Sequence, residues 1–184
     1  MKEFSIIMAT TFDGGVGYQN ALPWYIPEEM KKFQKITTST VCENKQNAVI
    51  MGRKTFESLS KPLSGRINIV VSRTKMTTDT YPKPSNVFFT CSENHALRFC
   101  KEHNLIESVF LIGGPGLLES YMNRNFKISK IYLSVIYDHT IKSDKYINMP
   151  QIFERFQFEK DKNYQKESNS KLFASFIGTP RKSY

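Results

Sequence analysis

The chain has few of the residues that build disulfide-rich or metal-binding proteins. It contains three cysteines, Cys42, Cys91 and Cys100, and three histidines among 184 residues. The cysteines are odd in number and widely spaced, and they form neither a Cys-x-x-Cys pair nor a zinc-ligand pattern. We therefore expect reduced, structural thiols and no metal site.

Long apolar runs are also missing. No stretch approaches the roughly 20 apolar residues that cross a bilayer. The first residues form a strand-like pattern and lack the basic and apolar regions of a signal peptide. These absences predict a cytoplasmic protein that does not enter a membrane. The length, with 40% hydrophobic and 23% charged residues, is that of one globular domain spanning residues 1–184.

Negative charge is in the minority. The chain has 26 Lys and Arg against 17 Asp and Glu, a formal net charge of +9. Such a balance is typical of proteins that bind nucleic acid or a small polyanion such as a phosphorylated cofactor. The cations are dispersed rather than gathered in a basic tract. We therefore expect a small anionic ligand and no nucleic acid.

Strand-like runs alternate with helical patterns along the chain. The strand-like runs are residues 4–9, 47–51, 67–72, 87–90, 108–112, 130–137, 156–161 and 172–177. The helical patterns are residues 27–37, 54–59, 93–103 and 115–122. This alternation predicts an α/β fold with a mainly parallel sheet. The last two runs flank a polar turn at residues 163–170, which predicts an antiparallel hairpin at one edge. Residues 180–184 are predicted to form a polar tail or linker stub.

One helical pattern carries a carboxylate on its apolar side. The helical step of four from Glu29 reaches Phe33, which places Glu29 on or beside the apolar stripe. An acid there either takes part in chemistry or is an ordinary acid near a helix N-terminus. Glu28 lies three and four residues before Lys31 and Lys32, the spacing of solvated ion pairs. We expect Glu28 at the surface.

Three strand ends carry groups suited to an anion. Residues 52–55, Gly-Arg-Lys-Thr, combine backbone amides, two cations and a hydroxyl at a helix start. Ser72 and Arg73 follow the next strand, and a glycine-rich segment, residues 113–116, follows another. Neither a Walker A nor a G-x-G-x-x-G spacing is present. Arg66, just before a strand, either grips a carboxylate or merely flanks the strand as a charge.

Taken in order, several segments resemble the dihydrofolate reductase family. They are "GVGYQNALPW", Glu29, "VIMGRKTFES", "PLSGRINIVVSR" and "FLIGGPG". The similarity runs from about Ser5 to about Ile177. It implies a single domain of that fold with an eight-stranded, mainly parallel sheet and flanking helices. It also implies NADPH-dependent reduction of 7,8-dihydrofolate to tetrahydrofolate, by hydride transfer to C6 and protonation at N5, in one-carbon and thymidylate metabolism.

The resemblance assigns roles to individual positions. The catalytic positions would be Glu29, Trp24 and Leu22. The substrate would contact Ala9, Glu29, Met30, Phe33, Leu59, Leu63, Arg66, Ile112 and Ser134. NADPH would contact Ala9, Val16, Gly17, Asn20, Gly52, Arg53, Lys54, Thr55, Ser72, Arg73, Gly113, Gly114, Pro115, Gly116, Leu117 and Leu118. A cis bond between Gly113 and Gly114 and a flap at residues 14–20 that closes over the nicotinamide are also implied.

Departures from the family pattern keep other interpretations open. Leu118 stands where the family usually has a tyrosine facing the cofactor. One alternative is therefore a catalytically silent domain of this fold that binds a partner or RNA. A second is a fold-sharing reductase of the riboflavin pathway, against which Glu29 and Arg66 argue. The resemblance also raises a fusion to, or association with, thymidylate synthase.

Overall fold

The computed structural model describes residues 2–74, 85–124, 126–167 and 172–182. Within these ranges the chain forms the following strands: β1 (Glu3–Thr11), β2 (Gly15–Gly17), β3 (Gln46–Gly52), β4 (Arg66–Val71), β5 (Val87–Thr90), β6 (Ile106–Gly113), β7 (Lys130–Ile136), β8 (Lys145–Tyr146), β9 (Phe156–Lys160) and β10 (Phe173–Pro180). The helices in the same ranges are α1 (Pro27–Thr38), α2 (Arg53–Glu57), α3 (Glu93–Glu102), α4 (Pro115–Asn123), α5 (Met149–Arg155) and α6 (Lys162–Glu167).

Eight of these strands form one sheet in the order β5-β4-β3-β6-β1-β7-β10-β9. Strands β5, β4, β3, β6, β1 and β7 pair in parallel. Strand β10 runs antiparallel to both β7 and β9, which makes the edge hairpin. The predicted α/β class, mainly parallel sheet and antiparallel edge are confirmed. The continuous apolar run at residues 48–51 is fully buried in β3, as a parallel strand covered on both faces requires.

The sheet separates two hydrophobic clusters. One contains Leu111, Tyr121 and Ile131 and receives residues of α3, α4 and α5. The other contains Val49, Val70 and neighbouring side chains and receives residues of α1 and α2. Because β1, β3, β4 and β6 are parallel neighbours, their carboxyl ends meet at one edge of the sheet. In folds of this type, ligands bind at that edge.

Two predictions near the C-terminus are wrong in part. The expected polar turn at residues 163–170 begins instead with α6, whose entry is stabilised by Asp161 Oδ1 accepting from the Tyr164 backbone N–H at 3.2 Å. Residues 168–171 lie outside the described residues. The expected polar tail begins too early: Pro180 still pairs with Phe156 in the sheet, and the Arg181 N–H donates to the Arg155 carbonyl at 2.9 Å. A helix cap decided the first boundary, and long-range strand pairing decided the second.

Among the described residues, no helix is long and apolar enough to cross a membrane. The expected cytoplasmic location stays a prediction.

Candidate active site

A cavity of about 830 Å³ opens where β1, β3, β4 and β6 end. Its volume is in the range of small-molecule and cofactor sites. Every residue that the family resemblance assigns to the cofactor lines this cavity, from Ala9 and Val16 to Leu117 and Leu118. Leu22 and Ile112 line it too. The fold therefore gathers positions that are more than a hundred residues apart in the sequence.

The loop expected to act as a flap forms part of the cavity wall. Gln19 and Asn20 have φ angles of 49° and 63°, and Tyr18 and Ala21 exchange two backbone hydrogen bonds of 3.0 Å. Two left-handed central residues are the signature of a tight hairpin turn. The same loop supplies β2, which pairs with β8, and the Gln19 N–H donates to Asp144 at 3.1 Å.

The predicted phosphate contacts differ in how they are engaged. Arg53 donates to both carboxylate oxygens of Glu57, at 2.7 and 2.8 Å. The Ser72 hydroxyl donates to the Thr74 carbonyl at 2.8 Å and so closes its own turn. Arg73 and Lys54 are exposed at the cavity. Of the predicted contacts, these two exposed cations are the ones free to turn toward a phosphate, while Arg53 is already held by a carboxylate.

The glycine segment approaches α2 closely. The Gly113–Gly114 peptide bond is cis, as the family resemblance implied. A Cβ at position 114 would lie 3.3 Å from Thr55 Oγ1, whereas a Cβ at Gly116 would meet nothing within 4 Å. The side of the segment at Gly116 is therefore open to the cavity. Bare backbone beside a hydroxyl and cations fits a phosphate-bearing cofactor.

Further charged residues line the cavity. Lys145 of β8 and Arg124 after α4 line the cavity, and Arg124 lies 3.6 Å from Glu93. Glu93 also accepts from Ser120 at 2.9 Å. Glu93 and Arg124 come from unrelated segments, so only the tertiary structure brings them to the site, whereas Lys145 stands where the family resemblance implies a polar cofactor contact. Leu118 lines the cavity with its apolar side chain, at the position noted as a departure.

A buried carboxyl lies beside this cavity. Glu29 on α1 is 8% exposed, and Ser134 of β7 donates to its Oε1 at 3.1 Å. Ser134 is the β-sheet partner of Ala9, which lines the cavity. Burial raises the pKa of Glu29, while the Ser134 hydrogen bond and the charge of Lys32 act in the opposite direction. The expected position of Glu29 on the apolar side of the helix is confirmed.

The burial of Lys32 contradicts the prediction that Lys32 forms a surface ion pair with Glu28. Glu28 is exposed as predicted, but Lys32 is only 5% exposed and its Nζ donates to Ser134 Oγ at 3.1 Å. Lys32 also lies 5.4 Å from the centre of the Tyr164 ring. The spacing from Glu29 to Lys32 is three residues, which places both on one face of the helix. That spacing was the signal in the sequence that could have identified Lys32.

The predicted apolar substrate contacts fall into two groups. Phe33, Leu59, Leu63 and Ile112 pack against one hydrophobic cluster. Ala9, together with the predicted catalytic Trp24, packs against a third cluster formed by Ile26, Ile136 and Phe173, and Met30 is exposed. Trp24 Nε1 is buried and has no hydrogen-bond partner among the described residues. Since buried N–H groups are normally paired, this indole fits a site that receives a polar ligand or water.

Arg66 is an interior residue rather than a solvated charge at the end of a strand. It is 4% exposed, and it donates through Nε to the Ser64 carbonyl at 2.9 Å and through Nη1 to Thr37 Oγ1 at 2.8 Å. Its guanidinium lies 5.8 Å from the centre of the Phe33 ring. Burial lowers the pKa of Arg66, although an arginine stays charged in proteins. These bonds use two of its five N–H groups and hold it rigidly.

An α/β sheet with a phosphate-compatible cavity and an adjacent buried carboxyl is the arrangement expected of an enzyme that binds a phosphate-bearing cofactor. A sequence model described as dihydrofolate reductase matches residues 3–181. The chain belongs to the dihydrofolate reductase family and is an oxidoreductase of folate and one-carbon metabolism. This family generally uses NADPH.

Relatives from distant organisms agree with this assignment. Dihydrofolate reductase of Aedes albopictus is 34% identical over 167 residues, covering 88% of this chain and 86% of the relative. Dihydrofolate reductase of Haemophilus influenzae is 31% identical over 180 residues, covering 97% and 99%. A bifunctional dihydrofolate reductase-thymidylate synthase of Paramecium tetraurelia is 35% identical over 171 residues, covering 91% of this chain and 32% of that protein.

Proposed function

We propose that this chain reduces 7,8-dihydrofolate to tetrahydrofolate with NADPH, by hydride transfer to C6 and protonation at N5. The observation that carries this proposal is the buried carboxyl of Glu29, hydrogen-bonded to Ser134 at 3.1 Å and one strand away from the cavity. Reduction of a C=N bond needs a proton at nitrogen. A carboxyl whose pKa is raised by burial retains that proton closer to neutral pH.

Bound NADPH would supply the hydride. On the protein side, Lys54, Arg73 and the 113–116 backbone would hold its phosphates, since they line the cavity with cations and with glycine backbone that a ligand can approach closely. Ala9 and Ile112 would form the apolar wall that keeps bulk water from the reacting rings. Leu22 and the loop turn at Gln19 and Asn20 would cover the opposite side.

For the substrate, Glu29 would bind the pterin ring and Arg66 the carboxylate of the glutamate tail. The rigid guanidinium of Arg66 retains N–H groups for a paired contact with that carboxylate. Phe33, Leu59 and Leu63, which pack together, would contact the apolar middle of the substrate. Trp24, with its buried unpaired N–H, would order water near the carboxyl.

The functional test is NADPH oxidation with and without dihydrofolate, with NADH as the control cofactor. Oxidation that requires dihydrofolate, prefers NADPH and stops with methotrexate would support the proposal. Binding of NADPH by folded protein without turnover would instead favour the silent-domain alternative. The observation behind that alternative is the apolar Leu118 at the cavity, where the family usually has a tyrosine. In that event Leu118→Tyr is the first variant to assay.

We also propose an association with thymidylate synthase, either within a longer chain or as a separate protein. The support is that several relatives are named bifunctional dihydrofolate reductase-thymidylate synthase, and this chain spans 32%, 28% and 26% of three of them. Sequencing the full transcript and measuring the mass of the native protein would test it. A transcript that encodes no synthase, together with a protein that does not co-purify with one, would argue against it.

A further inference from the structure

A buried lysine stands out inside α1. Lys32 is 5% exposed, although lysine is almost never fully buried unless it is paired. The family comparison assigned it no role, and its position was expected to be at the surface. Burial lowers its pKa, while the negative charges of Glu29 and Asp161 raise it. Neighbouring groups must therefore stabilise the buried ammonium.

Lys32 is one end of a chain of hydrogen bonds that reaches the site. Its Nζ donates to Ser134 Oγ at 3.1 Å, and Ser134 Oγ donates to Glu29 Oε1 at 3.1 Å. An ammonium has only donors, and a serine hydroxyl has a single hydrogen. Because Lys32 occupies Ser134 as an acceptor, the hydroxyl hydrogen is directed to Glu29. Since Oε1 accepts from Ser134, a transferable proton on Glu29 would lie on Oε2.

On its other side Lys32 meets the edge hairpin. Asp161, directly after β9, is 6% exposed and accepts from Ser175 Oγ at 3.3 Å and from the Tyr164 backbone N–H at 3.2 Å. The Tyr164 ring lies 5.4 Å from Lys32 Nζ. The carboxylate and the ring thus compensate the buried cation without competing for Ser134. The ammonium therefore feels the negative charge of two carboxyl groups, one in the site and one in the hairpin.

We propose that Lys32 is a positioning residue for the reduction: it orients the Ser134 hydroxyl toward Glu29 and sets the pH range in which the Glu29 carboxyl delivers its proton. This inference rests on the proposed function of Glu29. A nearby positive charge favours the ionised carboxylate. Lys32 therefore opposes the rise in the Glu29 pKa that burial causes. The carboxyl can then both release its proton and take up another in each reaction cycle.

Other charges near Lys32 are satisfied elsewhere or lie at the surface. The groove outside Lys32 is lined by charged or titratable groups from α1 and from strands β1, β6 and β7, namely Glu28, Lys31, Lys35, Glu3, Glu107, Lys130 and Tyr132. Lys130 pairs with Glu3 at 3.1 Å, and Glu107 accepts from the Val41 and Cys42 backbone N–H groups. Within the described ranges, the side chains that shift the Glu29 pKa are those of Ser134 and Lys32, both downward. Lys32 is therefore the charge to remove.

The test compares Lys32→Met with the control Lys31→Met. Lys31 is exposed on the same helix, so its replacement changes the net charge equally. The Glu29 carboxyl is titrated by isotope-edited NMR in ligand-free protein, and the pH profile of dihydrofolate reduction is measured in parallel. Lys32→Met should move the Glu29 midpoint upward by about one pH unit or more. On the limb where the rate falls with pH, each unit corresponds to about a tenfold change.

Two further variants separate charge from packing. Lys32→Arg keeps the cation and should leave the midpoint near its original value. Lys32→Gln keeps a donor for Ser134 but loses the charge, so it should reproduce the upward shift even if the methionine variant does not fold. An unmoved NMR midpoint in Lys32→Gln would overturn the inference while leaving the reductase proposal intact. If the Glu29 midpoint moves in the variants but the wild-type protein shows no turnover, the proposed function is refuted. If the Glu29 midpoint moves but the pH profile of the rate does not move with it, the role of Lys32 in the reaction is refuted.

Discussion

Replacement of Arg66 by alanine should weaken the binding of dihydrofolate through loss of one contact, the pairing of a guanidinium with the glutamate tail. Hydrogen bonds to charged groups are worth about 1.5–3 kcal/mol. A loss of about 2 kcal/mol corresponds to roughly a 30-fold increase in KM, since about 1.4 kcal/mol is tenfold. The rigid anchoring of Arg66 to Ser64 and Thr37 supports this figure, because little side-chain ordering is needed on binding.

The protein should fold without the guanidinium. Thr37 Oγ1 also donates to the Phe33 carbonyl at 2.7 Å, so its hydroxyl remains paired when Arg66 is truncated. The assay measures KM for dihydrofolate and for a dihydropterin without the glutamate tail, using the wild type, Arg66→Ala and the exposed-cation control Lys61→Ala. Only dihydrofolate with Arg66→Ala should show the large effect. An equal loss for both substrates would refute the assignment of Arg66 to the tail.

Three further predictions concern other parts of the molecule. Glu29→Gln should bind NADPH normally but lose most turnover near neutral pH, and unchanged activity in this variant would exclude the proton role. In the wild type, whose Glu29 pKa is raised, the rate should fall as pH rises through that pKa. Burial raises the pKa of Cys100 to about 12, so only the two exposed thiols should react with an aromatic disulfide in native protein; three reacting together would contradict this. A Cβ at Gly178 would lie 2.6 Å from the Phe158 ring, so Gly178→Ala should destabilise the edge hairpin by about 1–3 kcal/mol; an unchanged melting temperature would count against that packing.

The local sequence pattern was sufficient to predict those elements in which the periodicity of the side chains matches their burial in the fold. The apolar run at residues 48–51 became a central parallel strand, and the Pro27 start with Phe33 one helical step from Glu29 became α1. In both cases side-chain periodicity and burial point to the same structure. The polar segment beginning at Asn163 had no such agreement. Asp161, three residues before Tyr164, is a local signal for a helix start, but the contact of the Tyr164 ring with Phe173 of the sheet is one that local sequence does not specify.

The sequence by itself determined the α/β class, the burial of Glu29 on the apolar side of its helix, and the set of segments that form the cavity. Only the tertiary structure decided that Lys32 is interior, that Asp161 lies near it, and that Arg124 joins the cavity wall. Periodicity reports which face of an element is apolar. It does not report which polar groups from distant strands will contact each other there. A buried charge is tolerated only where such contacts pair it.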